Sequence, residues 1–272
     1  MSEKLEFIIL GCGSSGGVPR IGGHWGVCDP NNPKNRRRRC SALVRKTAEN
    51  GDQTHVLIDT SPDIRDQLLD AGVGWLDGVI FTHEHADHTH GIDDLRVIAI
   101  NGRNRVQTYA DTNCAATLRD RFAYCFETPE GSLYPPILKL DEIEGGQTLT
   151  VSGAGGDIDL TVFDQVHGNI NSLGVRVAGL AYSSDLSDIP DGSIPHLEGL
   201  DVWVVDALRP TPHVSHFSLP DALSWIERLS PNRAILTNMH VDLDYKSVND
   251  DTPVHVEAAY DMMTVELNGV SD

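Results

Sequence analysis

The sequence predicts an α/β fold whose functional side chains gather at the ends of strands. Short apolar runs rich in Val, Ile and Leu recur along the chain, and several of them lead directly into His or Asp. One amphipathic helix is predicted between two such runs, with an apolar face formed by Leu219, Ala222, Leu223, Ile226 and Leu229. In layered α/β proteins, sites lie beyond the carboxyl ends of strands. We therefore expect one site assembled from strands that are distant in sequence.

Length and composition are compatible with one globular domain over residues 1–272. The apolar fraction of 40% is enough to bury a substantial core. The cysteine count is odd and no two cysteines are close in sequence, which favours reduced thiols in a cytoplasmic protein over a disulfide framework. The apolar run at the amino end is too short for a signal peptide or a membrane span, so we expect no contact with a membrane.

The chain is strongly acidic, with a net charge of −19 from 40 acidic and 21 basic residues. A long nucleic acid is not expected as a partner, because its binding needs a basic surface. A small anionic substrate is not excluded, since bound divalent metals reverse the sign of the charge locally. The one basic run, residues 34–39, is interpreted as a solvated rim or as a phosphate clamp, with Arg39 as the substrate-binding candidate.

In the first half of the chain, strands are predicted at residues 5–10, 40–44, 55–59 and 105–110. A Gly-rich loop follows the first strand and allows close backbone approaches. The third strand ends at Asp59, and Ser61 with Pro62 has the pattern of a helix start. A second helix is predicted over residues 111–126, followed by an irregular excursion at 128–138.

Residues 79–91 carry the densest chemistry of the chain. A β-type run delivers the backbone into the pattern His-x-His-x-Asp-His, formed by His83, His85, Asp87 and His88. Imidazoles and carboxylates at this density suit a divalent transition metal such as zinc or manganese. Because side chains two apart on an extended segment share one side, the first two histidines face one point and the residues after the bend face another. The motif therefore predicts two adjacent metal ions.

The second half repeats the pattern of an apolar strand followed by a polar residue. Strands are predicted at residues 160–166, 173–177, 180–183, 202–205 and 234–237, the second and third as a hairpin-like pair. The polar residues at or just after four of these strands are His167, Asp185, Asp206 and His240. Ser218 begins the amphipathic helix with a pattern like a capping box. The order of the polar residues at strand ends makes them candidates for one site.

These motifs resemble those of the metallo-β-lactamase superfamily of hydrolases, whose hallmark is His-x-His-x-Asp-His at the end of a strand. The resemblance extends to the phosphoribosyl cyclic phosphate phosphodiesterase (PhnP-type) branch through Gly-Val-Pro at 17–19, Gly-Ser-Leu-Tyr-Pro-Pro at 131–136 and the segment 206–219. It covers nearly the whole chain. It implies a four-layer αββα sandwich, whereas the periodicity alone predicts only an α/β fold.

The resemblance also implies a ligand set for two divalent ions. Seven residues would hold them: His83, His85 and His167 one ion, Asp87, His88 and His240 the other, and Asp185 both. Asp59 matches an acidic position that supports the metals without touching them. Many relatives place several cysteines before the second strand as ligands of a structural zinc. Only Cys28 stands there in this chain, beside His24, so that zinc is not predicted.

Two further histidines lie just before the amphipathic helix. In the PhnP-type branch a His at that place is a catalytic group beside the metals, and His216 matches it best. His213 is a nearby candidate for substrate contact. The predicted catalytic residues are His216, which would act as general acid, and the carboxylates of Asp87 and Asp185.

The predicted function is hydrolysis of small cyclic or ribose-linked phosphodiesters, such as phosphoribosyl cyclic phosphate, by hydroxide held between two metal ions. The expected partner is that small substrate, and a homodimer is compatible with the sequence. Three alternatives stay open: a transfer-RNA 3′-processing nuclease, a thioester hydrolase of the glyoxalase kind, and a non-catalytic metal-binding accessory protein of cofactor biosynthesis. The nuclease normally adds a basic, Gly-rich arm, which is not visible in this sequence.

Overall fold

The computed structural model describes residues 3–267, which contain two mixed seven-stranded sheets. The first sheet contains β1 (Lys4–Gly11), β2 (Ser41–Thr47), β3 (Gln53–Ile58), β4 (Gly78–Ile80), β5 (Val106–Ala110), β6 (Leu138–Glu142) and β14 (Met263–Leu267). The second contains β7 (Thr148–Val151), β8 (Ile158–His167), β9 (Ile170–Val177), β10 (Leu180–Ser183), β11 (Val202–Asp206), β12 (Arg233–Thr237) and β13 (Val256–Ala258).

The two sheets share one internal plan. Their spatial orders are β14-β1-β2-β3-β4-β5-β6 and β13-β12-β11-β10-β9-β8-β7. In each sheet an antiparallel half continues into a parallel half, which begins between β3 and β4 in one sheet and between β10 and β11 in the other. Parallel strands end at the same edge of their sheet, so the polar residues that follow them are brought together there.

Helices cover the outer faces of the sheets. The described residues include α1 (Ile64–Asp70), α2 (Ala86–Thr89), α3 (Leu95–Gly102), α4 (Thr112–Arg121), α5 (Ala123–Phe126), α6 (Leu219–Leu229) and α7 (Tyr245–Asp251), with short 3-10 helices at Pro33–Asn35, Ile92–Asp94 and Asp191–Leu197. The predicted capping box begins α6, where Ser218 and Asp221 each accept a backbone N–H from the other. None of these helices is long and apolar enough to cross a bilayer.

The alternation of side chains along β1 shows how the layers are built. Phe7 and Ile9 are fully buried in the core that joins the two sheets, whereas Ile8 and Leu10 pack on the other face against helices such as α1, which contributes Ile64. The apolar face of α6 packs onto the second sheet in the same way. The arrangement of helix, sheet, sheet and helix confirms the predicted four-layer αββα sandwich.

Most predicted strands are present, and the exceptions lie at the sheet margins. β9 and β10 pair antiparallel with Val177 opposite Leu180, as the hairpin-like pattern predicts. The four strands without a predicted counterpart are β6, β7, β13 and β14, which are the edge strands of the two sheets. Edge strands such as β7 alternate exposed and buried residues over a few positions, so they carry little apolar signal.

Two predicted helix boundaries also differ from the structure. α1 begins at Ile64, because residues Ser61 to Asp63 first form a turn in which the Ile64 N–H donates to the Ser61 carbonyl. The helix predicted over residues 111–126 is interrupted at Phe122, whose backbone leaves the helical region, and becomes α4 and α5.

Most of the basic run at residues 34–39 packs into the fold and does not form a solvated rim. Arg37 is only 2% exposed, whereas Arg36 faces solvent. The other side chains have inward partners: the Lys34 ammonium lies over the Tyr245 and Tyr260 rings, Arg38 pairs with Asp70 and Asp261, and Arg39 pairs with Asp63. This corrects the interpretation of the run as a solvated rim. The sequence alone does not show partners that lie in distant segments of the chain.

Candidate metal centre

The His-x-His-x-Asp-His segment leaves the first sheet after β4 and bends into α2. His83 and His88 are fully buried, while His85 directly precedes α2 and is exposed. Gly91 closes the bend, and a Cβ added there would lie 2.1 Å from the Ser61 carbonyl oxygen. Only glycine therefore allows the backbone to turn away at this point.

Three histidines converge on one point. The Nδ1 atom of His85 lies 3.1 Å from Nε2 of His83 and 3.1 Å from Nε2 of His167. Ligand atoms around a tetrahedral zinc ion are about 3.3 Å apart when each metal–nitrogen distance is near 2.0 Å. This spacing fits the first ligand group that the resemblance implies.

Asp185 lies between these three histidines and His88. Its Oδ2 atom is 3.9 Å from His83 Nε2 and 3.8 Å from His167 Nε2. Its Oδ1 atom is 3.1 Å from His88 Nε2, and Asp87 Oδ2 lies 3.6 Å from the same nitrogen. The two oxygens of Asp185 thus face different groups of predicted ligands, and the carboxylate would hold both ions that the resemblance implies.

Asp59 contacts Thr82 and His88 and so supports the predicted ligands. Its Oδ1 atom accepts the Thr82 N–H, and its Oδ2 atom accepts the Thr82 hydroxyl, both at 2.8 Å. The same Oδ2 atom lies 2.7 Å from His88 Nδ1, which fixes the tautomer of His88 and leaves Nε2 to face Asp185. The backbone φ of Asp59 is 62°, a strained conformation that costs about 1–3 kcal/mol and is concentrated at functional sites.

The electrostatics of the cluster favour a bound cation. Burial lowers the pKa of His83, and it lowers the pKa of His167 to about 4, so both imidazoles are neutral near pH 7 and offer lone pairs. Burial also disfavours the charged form of His88, but the carboxylates of Asp185 and Asp59 outweigh it and raise its pKa. The Nε2 atom of His88 is buried and faces the Asp185 and Asp87 carboxylates, at 3.1 and 3.6 Å. A divalent transition metal would satisfy this nitrogen and offset the carboxylate charge, so the residues fit the implied metal.

His216 forms a third group with His167 and Asp185, whose ligand atoms lie within 4.8 Å of one another, and it also has a carboxylate partner of its own. Its Nδ1 atom is 2.8 Å from Asp206 Oδ2 and 3.8 Å from Asp185 Oδ2. Burial lowers the pKa of His216, but the Asp206 carboxylate outweighs it and raises that pKa to about 9. The imidazole is therefore both oriented and positively charged near neutral pH, as a proton donor requires. The sequence marks Asp206 as a strand end but gives no sign of this pairing.

His240 is placed differently from the other predicted ligands. It lines the same cleft, but its Nε2 atom contacts the Arg20 guanidinium and its Nδ1 atom lies 2.9 Å from Asp242. Among the described residues, His240 is outside the groups whose ligand atoms all lie within 4.8 Å of one another. Arg20 would have to move for His240 to bind an ion, so the ligand role of His240 stays a prediction.

A cleft of about 360 Å³ opens over the cluster and exposes Arg20, Arg209, His213 and His216 together with predicted metal ligands. Arg39 does not line it, because its Nε atom pairs with Asp63 at 2.6 Å and its N–H donates to the same carboxylate. The substrate contact at Arg39 stays a prediction, and Arg20 and Arg209 are the arginines that line the cleft. The sequence offers only weak signals for them, namely Gly-Gly soon after Arg20 and Pro after Arg209.

Comparison with known proteins decides the family. Residues 54–239 match the β-lactamase superfamily domain. This chain belongs to the metallo-β-lactamase superfamily. Its fold and its His/Asp clusters are those of a metal-dependent hydrolase of this superfamily.

Proteins similar to this chain carry different names. A new diphosphatase from the PhnP family has 31% identity to this chain and a TM-score of 0.84, covering 97% of each chain, which confirms the PhnP-type resemblance. Zinc-bound PqqB from Methylobacterium extorquens shares the fold at 16% identity and a TM-score of 0.73, over 96% of this chain and 100% of its own. An octanoyltransferase of Porphyromonas gingivalis is 32% identical over 262 residues, or 94% of this chain. The chain spans only 50% of the length of that relative.

Proposed function

We propose that this chain is a dinuclear metal-dependent phosphodiesterase that hydrolyses small cyclic or ribose-linked phosphodiesters. The observation that carries the proposal is one cleft of about 360 Å³ that exposes predicted metal ligands, His216 and two arginines together. That volume suits a small molecule. Guanidinium groups match the oxygens of a phosphate, so Arg20 and Arg209 give the cleft a second means of binding an anion beside the metals.

Each side chain has a defined part in the proposed reaction. When bound, two divalent ions supply Lewis acidity and a nucleophilic hydroxide at neutral pH. The seven residues that would hold them are His83, His85, Asp87, His88, His167, Asp185 and His240. Arg20 and Arg209 bind the phosphate oxygens and orient the ester for attack at phosphorus.

The leaving sugar oxygen needs a proton, and His216 is positioned to donate it. Asp206 holds the Nδ1 atom of this imidazole, which leaves the Nε2 N–H for the substrate. His213 lies with its ring centroid 5.1 Å from that of His216 and is the candidate for contact with the leaving group.

The relatives bear on the proposal to different degrees. The similarity to a diphosphatase of the PhnP family supports phosphoryl chemistry. The similarity to an octanoyltransferase covers half of that protein, so its acyl-transfer activity is not assigned to the shared half. All five cysteines of this chain are buried, which leaves no exposed thiol to carry an acyl group.

A substrate panel tests the proposal. Zinc-loaded, manganese-loaded and chelator-treated protein would be assayed with a ribose cyclic phosphate, a nitrophenyl phosphodiester, a diphosphate ester and an octanoyl thioester. We expect turnover of the phosphodiesters by a metal-loaded form and none after chelation. Turnover of the thioester alone would assign the chain to the thioester hydrolases, and no turnover with either metal would favour the accessory-protein alternative.

A further inference from the structure

A buried arginine lies beneath the loop that carries His240. Arg37 is 2% exposed, yet it pairs with no carboxylate in the part of the chain that the structure describes. Its Nη1 atom donates to the Leu243 carbonyl at 2.8 Å and lies 3.4 Å from the His240 carbonyl oxygen. A buried guanidinium is costly unless its donors are satisfied. Here the acceptors of Nη1 are backbone oxygens of this loop, whereas Nε has no hydrogen-bond partner within the described range.

The end of the loop at residues 244–245 is held by Asn35, which also contacts this guanidinium. Arg37 Nη2 donates to Asn35 Oδ1 at 3.3 Å, and the same oxygen accepts the Tyr245 N–H at 2.7 Å. The Asn35 amide donates to Asp244 Oδ2 at 2.6 Å. Asp244 also accepts the Ser247 N–H and so caps α7. Residues 35 and 37 together therefore hold both ends of the segment 240–245.

A third set of contacts closes the loop from the side of Cys28. The Val27 N–H donates to the Val241 carbonyl at 2.9 Å, and the Cys28 thiol lies 3.4 Å from the Leu243 carbonyl. A Cβ on Gly26 would lie 2.3 Å from the Val241 oxygen, so this close approach requires glycine. The Leu243 carbonyl thus has both the guanidinium and the thiol as partners.

We propose that Arg37 is a positioning residue for the metal centre. By binding the carbonyls of His240 and Leu243, its guanidinium sets the backbone from which the His240 imidazole enters the cleft. On the opposite side of the loop, the Met239 and His240 N–H groups donate to the Cys12 and Leu208 carbonyls, both at 2.9 Å. The inference rests on the ligand role of His240 in the proposed function.

The test compares metal affinity in Arg37→Met, which keeps the chain length but removes the donors, with Arg36→Met at the exposed neighbouring position. Binding of zinc to metal-free protein would be followed by competition with a chromophoric chelator, with the unfolding temperature as a separate reading. We expect Arg37→Met to bind the first ion normally and the second ion about 10- to 100-fold more weakly, the usual effect of losing a partner that orients a ligand. Arg36→Met should bind both ions as the wild type does.

A double-mutant cycle with His240→Ala separates positioning from general stability. Because both changes act on one ligand, the double variant should lose no more second-ion affinity than His240→Ala alone. A folded Arg37→Met with second-ion affinity within twofold of the wild type would overturn the proposal, as would additive losses. If His240→Ala keeps both affinities, the ligand assignment itself is wrong, and this inference with it.

Arg37→Lys keeps the charge and provides the second variant should Arg37→Met fail to fold. Lysine can reach one carbonyl but not two, so we expect an intermediate loss of second-ion affinity and faster hydrogen exchange in the peptide covering residues 239–245. Unchanged affinity and unchanged exchange in Arg37→Lys would again contradict a positioning role.

Discussion

Three histidines around the centre have their Nδ1 atoms held within 2.8 Å of an acceptor. His88 is held by Asp59, His216 by Asp206, and His167 by the Ser215 carbonyl, at 2.7, 2.8 and 2.5 Å. Each contact fixes a tautomer and leaves Nε2 for an ion or a substrate. Asp59 and the Ser215 carbonyl therefore orient histidines that are predicted to hold ions, whereas Asp206 orients the predicted proton donor.

Asp185 is expected to matter to both ions. An amide at this position can offer only one neutral oxygen, so Asp185→Asn should lose the bridge and with it at least one ion, while the wild type binds two. Metal analysis by plasma emission on protein purified without chelator measures this. A stoichiometry at or below one in both proteins, under metal-replete conditions, would contradict the dinuclear centre.

His216→Ala should lower turnover by about 10²–10⁴-fold, the usual cost of losing a general acid. Metal content should not change, since His216 is assigned to proton transfer. The loss should be smaller for a nitrophenyl diester than for an alkyl diester, because nitrophenolate leaves without a proton. Equal losses for the two esters would contradict the acid role.

Arg20 is expected to bind the substrate phosphate and not the metals. Arg20→Gln should lower kcat/KM for a ribose cyclic phosphate by about 10- to 100-fold, the value of a hydrogen bond to a charged group. Arg36→Gln is the matched control, because that arginine faces solvent away from the cleft lining. Kinetic parameters and metal content would be measured for both variants. If Arg20→Gln had the same kcat/KM as Arg36→Gln, Arg20 would not be part of the substrate-binding site.

At the scale of elements, strands that carry ligands could be predicted because each is a local apolar run with a polar end. β4, β8 and β12 lie where the sequence predicts them, and each leads to a histidine of the cleft. The edge strands could not be predicted, since they bury only alternate residues. The partners of the basic run also could not be predicted. Arg38 contacts Asp261 and Lys34 contacts Tyr245, and each pair is more than 200 residues apart in sequence.

β3 contains a histidine that makes stability depend on pH. His55 is fully buried beside Trp75, and burial lowers its pKa to about 4. The Arg45 charge adds to this effect, and a contact with the Trp75 backbone opposes it. In the unfolded chain the pKa is about 6.5. Between these values the unfolded state binds more protons, so the free energy of unfolding falls as pH drops from about 6.5 towards 4.

His55→Leu should remove this dependence. When the pH is lowered from 7.5 to 5.5, the free energy of unfolding should fall by about 1 kcal/mol more in the wild type than in the variant. Denaturant unfolding of chelator-treated proteins at both pH values measures the difference, with His255→Leu at an exposed position as the control. The same pH dependence in wild type and His55→Leu would show that His55 does not stay neutral in the folded state.

At the scale of the whole molecule, charge limits the substrates. The chain has 40 acidic and 21 basic residues, and in its one basic run every cation except Arg36 has an internal partner. A long polyanion binds by releasing counterions through several spaced Lys and Arg contacts. The only arginines that line the cleft within residues 3–267 are Arg20 and Arg209. They can bind one phosphate group, whereas the rest of the surface should repel a nucleic-acid backbone.

We therefore expect a higher kcat/KM for hydrolysis of a ribose cyclic phosphate or a dinucleotide than for cleavage of a precursor transfer RNA. The small substrate places its charge on the metals and the two arginines, so its kcat/KM should change little with salt. A polyanion held by spaced contacts would instead weaken steeply as salt rises. Measuring both substrates at two salt concentrations decides between them. Faster cleavage of the precursor RNA, with a rate that falls steeply with salt, would replace the small-substrate function with the nuclease alternative.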